Sequence, residues 1–421
     1  MKPLLSIFAL LFFATSVQAQ APLGDRDWPA WRGPQHNGYA AAGQKLPIKW
    51  SETQNVAWKA DLPGRGHSSP IVVGDRIFLA TADEKGQVQS LLALDRKTGA
   101  SVWKTDINQG GFPPSIHAKN THATCTAACD GERLFVAFHH HDKIEAVALS
   151  LEGKVLWRRD MGTFLPKQYQ YGYAPSPVVF EGTVIFAAEF DGAGAGYLIA
   201  LDRKTGEVVW KTPRPAQTSY SSPVVGKVAG REQLLISGCN MVSSYDPTNG
   251  KSLWSTPGTT SATCGTMAWE GDLVFASGGY PKPETICVKA DGSGKVMWKN
   301  NQKCYEQSML VYEGHVYALN DNGIAFCWKA ADGEEMWKER LRGPVSSSPI
   351  LAGGIIYQSN ELGTTYVFRA KPGAFELLAE NQLGTEGFAT PAICGGEIFL
   401  RTAGQKNGKR HETLYCLKQM D

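Results

Sequence analysis

Several familiar signatures are missing from this 421-residue chain. It contains no G-x-S-x-G and no H-E-x-x-H, so neither a nucleophile elbow nor a helical zinc pair is written locally. Its nine cysteines include no C-x-x-C and no adjacent pair, and the odd number leaves at least one thiol free or paired between chains. They sit in or beside apolar strand patterns and read as small buried hydrophobes. Neither sign of charge gathers into a block: 42 Lys and Arg stand against 40 Asp and Glu, a formal net charge of +2. That balance argues against nucleic acid as a partner.

Long apolar runs are also scarce. Residues 1–19, MKPLLSIFALLFFATSVQA, carry one Lys, an apolar run over 4–14 and small residues ending at Ala19, the pattern of a signal peptide. The run is too short to span a bilayer comfortably. No transmembrane segment is expected, no Cys stands near the cleavage point to take a lipid, and the mature chain is expected to be periplasmic or secreted.

What the chain does have is glycine, proline and tryptophan, 45, 23 and 12 of them, between short Val, Ile, Leu and Phe runs. This favours many short strands and very little helix. A phrase repeats: ALDRKTGASVWK at 93–104 returns as ALDRKTGEVVWK at 200–211, with weaker copies at 148, 244, 288 and 328 and a version at 368 without its Trp. Trp58, Trp103, Trp157, Trp210, Trp254, Trp298 and Trp337 follow one another at about 40 to 54 residues, and Leu378 is read into the eighth place. That interval holds four short strands.

A second phrase interleaves with it, as in SSPIVVGDRIFLAT from Ser68 and SSPILAGGIIYQS from Ser347, each an apolar strand, a Gly-containing turn and a second strand. The predicted fold is therefore all-β: an eight-bladed β-propeller of four-stranded antiparallel blades. The C-terminal LYCLK has no outer strand after it, and NVAWKADL at 55–62 is an outer strand with no blade before it. Pairing of N- and C-terminal strands is expected to close the last blade. The division is 1–19 signal peptide, 20–47 N-terminal extension and 48–421 one propeller domain.

The repeated phrase fits the hairpin between the third and outermost strands. Asp95 or Asp202 can accept from turn N–H groups, Gly99 or Gly206 supplies a positive φ, and the Trp is expected to cover the gap to the next blade. A-L-D-x-x-T-G-x-x-x-W around eight blades resembles the tryptophan-docking repeat of the PQQ-type (pyrroloquinoline-quinone-like) β-propellers. These include quinoprotein alcohol dehydrogenases and the outer-membrane assembly-factor propeller. DWPAWRGPQHNGYA at 27–40 is similar to the opening of many secreted members. The resemblance implies the fold over nearly the whole mature chain. The dehydrogenases it brings to mind carry a disulfide between adjacent cysteines over the quinone and a Ca²⁺ held by Glu, Asn and Asp.

Candidate binding groups gather on the face opposite the repeated turns. The connectors 107–120 and 161–172 are the longest between blades and bring His117, Tyr169 and Tyr171. Hairpin pairing sets His122 opposite His139, alternation places His141 on the same side, and His67 holds the equivalent position one blade earlier. These imidazoles suggest either a transition-metal or acidic-ligand site or solvated strand ends; the latter is adopted and no metal is assigned. Tyr173, Tyr220 and Glu306 begin inner strands and are expected to line the channel. DGAGAGY at 191–197 is read as a flexible loop, since no helix follows to aim N–H groups at phosphate. The functional expectation is a non-catalytic binding or scaffold module for an envelope protein or polysaccharide, with no cofactor. The alternative is a PQQ- or metal-dependent oxidoreductase, with PQQ and Ca²⁺ in the same funnel.

Overall fold

The computed structural model describes residues 23–192 and 196–420. The signal peptide read over 1–19 lies outside the described residues, as do residues 193–195 of the glycine-rich loop. Thirty-two strands form eight four-stranded antiparallel sheets in a ring, each running from a short inner strand to an outer one. No helix is long and apolar enough to cross a membrane among the described residues. Blade 1 comprises Ile71–Val73, Arg76–Asp83, Val88–Asp95 and Ser101–Gln109. The eighth sheet joins Ala392–Cys394, Glu397–Lys406 and Lys409–Lys418 to Val56–Leu62. There Trp58 pairs with Cys416 and Ala60 with Leu414, so the chain's two ends close the ring and remove a free edge.

The outer strands share one irregularity. In blade 1, Ala93 pairs with Trp103 and Leu94 with Ser101, which leaves Val102 as a bulge; Leu156, Val209, Leu253, Met297 and Met336 hold the same position in blades 2 to 6. A bulge adds a residue and turns the strand, so the following Trp swings onto the sheet while the bulged side chain faces water. Val102, Leu156 and Val209 are 43%, 44% and 51% exposed, against 9% for Trp157 and Trp210.

Each indole then reaches the next blade. Trp103 Nε1 donates to Leu151 O at 2.9 Å, Trp157 Nε1 to Arg203 O at 3.1 Å and Trp298 Nε1 to Ala330 O at 2.9 Å. Trp254 uses a relay: its Nε1 donates to Gln233 Oε1, and Gln233 Nε2 donates to Ala290 O in the next turn. The glycine of the repeated phrase has a second duty here. A Cβ on Gly153 or Gly206 would stand 2.7 Å from the indole of Trp103 or Trp157, so the position must be bare as well as left-handed. Asp95 Oδ1 accepts from the Lys97 and Thr98 N–H groups, pinning the turn.

Blade 7 departs from the expected pattern. The residue paired where other blades place Trp is Ala379, opposite Val367; Leu378, read from spacing as the eighth member, is the bulge. The reason is topological: the outer strand of blade 8 comes from the N-terminus, so that blade has no third-to-fourth-strand turn for an indole to meet. Trp50 fills the space instead. It is buried, stacks on Tyr357 at 6.4 Å, and its backbone N–H donates to Asn381 Oδ1. Trp103 meets Phe78 of its own blade at a comparable 5.8 Å.

Candidate functional site

Where the inner strands begin, a second ring ties the blades together. Ser69 N–H donates to Thr126 Oγ1, Thr126 N–H to Ser176 Oγ, and Ser176 N–H to Ser222 Oγ, at 2.9 to 3.0 Å. The series resumes at Thr266, passes through Ser308, Ser348 and Thr390, and returns from Thr390 N–H to Ser69 Oγ. These hydroxyls satisfy strand-end N–H groups that would otherwise be buried and unpaired. The break falls between Ser222 and Thr266, where Thr266 Oγ1 accepts from Trp31 Nε1 at 2.8 Å.

Trp31 belongs to a segment that crosses the ring. Trp28 exchanges hydrogen bonds with Val72 in blade 1, Pro29 O accepts from Cys129 in blade 2, and Arg32 donates to Met309 O ahead of blade 6. Gly38 O and Ala40 N–H then bond Leu351 in blade 7. Residues 28–40 thus bar the channel. Arg32 is 1% exposed, and burial lowers its guanidinium to about 9, still charged at neutral pH.

Above Trp31 lies a cavity of about 440 Å³. His67, His117, Tyr171, Tyr220 and Glu306 from the sequence reading all line it. His67 stacks on Phe388 at 4.2 Å and His117 meets Tyr171 edge-on at 4.8 Å. Burial holds both imidazoles below the usual histidine range. Tyr169 stands at the rim, its carbonyl accepting from Tyr220 Oη and its ring against Tyr280.

The remaining candidates lie elsewhere. His122 and His139 reach a separate crevice with space for about one water, and Gln89 Nε2 donates to both their carbonyls. His139 is 8% exposed, and burial lowers it to about 4. Tyr173 is buried and donates to Ala187 O, a packing role. His141 corrects the alternation argument. The strand ends at His140, His141 takes φ 46° in the turn, and its exposed ring lies against Gly111, outside both cavities.

Sequence reasoning missed a charged wall. Lys119 Nζ lies 2.6 Å from Glu361 Oε1, Lys303 Nζ lies 3.1 Å from Asp321 Oδ2, and Ser346 Oγ bonds both Glu306 and Glu361. These residues come from five different connections and share no spacing. The nine cysteines are free thiols, all buried except the half-buried Cys264 at the funnel wall.

PQQ with Ca²⁺, raised by the family resemblance, can be tested against this donor set. PQQ is a tricarboxylate, yet both funnel lysines are already paired with carboxylates and no arginine lines the cavity. Among the described residues no three His, Cys, Asp or Glu side chains are grouped to hold a metal ion. The residues present do not fit that group.

Comparison with known proteins separates fold from activity. Outer membrane protein assembly factor BamB of Burkholderia pseudomallei is 23% identical over 380 residues, 78% of this chain and 92% of that protein. The 1-butanol dehydrogenase (quinone) of Thauera butanivorans is 24% identical over 266 residues, 58% of this chain but 39% of the enzyme. Two solved structures share the fold at 13% identity. BamB from Moraxella catarrhalis has a TM-score of 0.60 over 86% of this chain and 97% of its own. A europium-containing methanol dehydrogenase has 0.64 over 94% and 98%. The family model described as outer membrane protein assembly factor BamB matches residues 33–104, 87–339 and 284–409, nearly the whole described chain, and the protein belongs to that family of PQQ-like propellers.

Proposed function

We propose that the protein is an exported, non-catalytic binding module that engages an envelope protein during outer-membrane protein assembly. It does so through the face that carries its long connectors. The observation that carries this reading is the extent of the sequence match: it takes in 92% of the Burkholderia assembly factor but 39% of the butanol dehydrogenase. The physical basis is a rigid ring presenting ordered loops, the arrangement in which binding surfaces are usually built. The leader over 1–19 would deliver the chain to the periplasm, and residues 48–421 would act as one domain. An oxidoreductase role would need PQQ, for which the funnel's cations are already committed.

Photo-crosslinking in the native envelope tests the reading. Probes at the exposed connector residues Pro114 and Gln168 should trap an outer-membrane protein or a component that inserts one, while probes at Lys97 and Lys204 on the turn face should not. Equal trapping from both faces would remove the proposed surface. PQQ with Ca²⁺ should leave the melting temperature and the quinone absorption unchanged; a shift in both would restore the oxidoreductase.

A further inference from the structure

The funnel has two unlike walls. On one, Tyr169, Tyr171 and Tyr220 stand in series, with neighbouring ring centroids 5.7 and 6.0 Å apart and planes 30° from parallel. Tyr280 stands edge-on to Tyr169 at 5.1 Å and is 41% exposed. Tyrosines held this way offer flat apolar faces at the mouth of a polar cavity. On the other wall sit the charges described above.

On the second wall each cation has a carboxylate partner. Lys119 lies 2.6 Å from Glu361 and 4.0 Å from Glu306, and Lys303 lies 3.1 Å from Asp321. Ser346 Oγ bonds both Glu306 and Glu361 and holds the two carboxyl groups side by side. Burial pushes the Glu306 carboxyl up. The wall offers donors and acceptors but no unpaired cation.

We infer that this funnel binds a neutral pyranose oligosaccharide, its sugar rings packing on the tyrosine wall at Tyr171 and Tyr280 and their hydroxyls meeting Lys119, Glu306, Lys303 and Asp321. A pyranose presents a flat face of C–H groups and an edge of hydroxyls that both donate and accept, the complement of these two walls. An anionic ligand would need an unpaired cation, which the wall does not offer. A cavity of about 440 Å³ accommodates two to three sugar rings, with Trp31 as its floor. The inference is independent of whether the connector face docks an envelope protein.

Saturation-transfer NMR on the full mature protein tests it, with maltotriose, cellotriose and tri-N-acetylchitotriose as probes and trigalacturonate as the anionic control. At least one neutral trisaccharide should receive transfer and the anionic one should not. Tyr171→Ala and Tyr280→Ala should each weaken binding about tenfold. Glu306→Gln, which keeps hydrogen-bonding groups for Ser346 and for a sugar hydroxyl, should retain it. Tyr280 is exposed, so its variant remains folded and informative. No transfer from any neutral probe, transfer from trigalacturonate as strong as from the others, or affinity unmoved by both tyrosine variants would each overturn the inference.

Discussion

Two rings hold the blades together, an outer one of indoles and an inner one of hydroxyls, and each is broken once. The outer ring fails at blade 7, where Ala379 stands in for Trp, and the inner one fails between Ser222 and Thr266. Both breaks are met by tryptophans from outside the repeat, Trp50 at the first and Trp31 at the second. The outer gap is filled by apolar volume, whereas the inner one receives a single hydrogen bond beside an open cavity. The same N-terminal segment therefore works as core in one place and as the floor of the funnel in the other.

That contrast sets the order of expected effects. Trp210→Ala, in an intact part of the outer ring, should cost about 3 to 5 kcal/mol in denaturant unfolding. If Trp50 completes that ring, Trp50→Ala should fall in the same range, and a cost no larger than that of a surface change would separate the two. Next comes acid. Turn carboxylates such as Asp95, held below the usual range by the Thr98 hydrogen bonds, lose their contribution only at strongly acid pH, whereas buried imidazoles act in a milder window. His139 is lowered to about 4 and must stay neutral in the fold, so its contribution is present above pH 6.5 and lost as pH falls toward 4. Unfolding free energy should drop by up to about 3 kcal/mol over that window, and His139→Phe should flatten the curve. Smallest is the inner ring: Ser176→Ala orphans the Thr126 N–H and should cost about 1 to 2 kcal/mol. Trp31→Ala should cost less still, yet alter ligand binding in the funnel.

The fold was legible because the repeated phrase encodes a hairpin, a bulge and a contact with the next blade at one spacing. Even its terminal pairing could be read from which strand phrases stood alone. The exception at Leu378 arose because spacing counts residues and cannot see that the neighbouring blade has no turn there. The funnel was half legible. His67, His117, Tyr171, Tyr220 and Glu306 all come from inner-strand starts and the long connectors, which periodicity marks. Lys119, Glu361, Ser346, Lys303 and Asp321 meet only once the ring is closed, and no local pattern joins them. His141 misled because alternation holds only while the chain remains a strand, and it leaves the strand after His140.

Closure of the ring also dictates an order of events in time. The strand Val56–Leu62 pairs with Lys409–Lys418, nearly the whole chain away, so it has no sheet partner until that strand is made. Trp31 and Trp50 likewise wait for residues more than 200 positions on, Thr266 and Tyr357, and the unfinished blade offers a bare edge until then. Contacts so distant in sequence form slowly. A chain of this kind is open to mispairing for as long as its own beginning waits for its end.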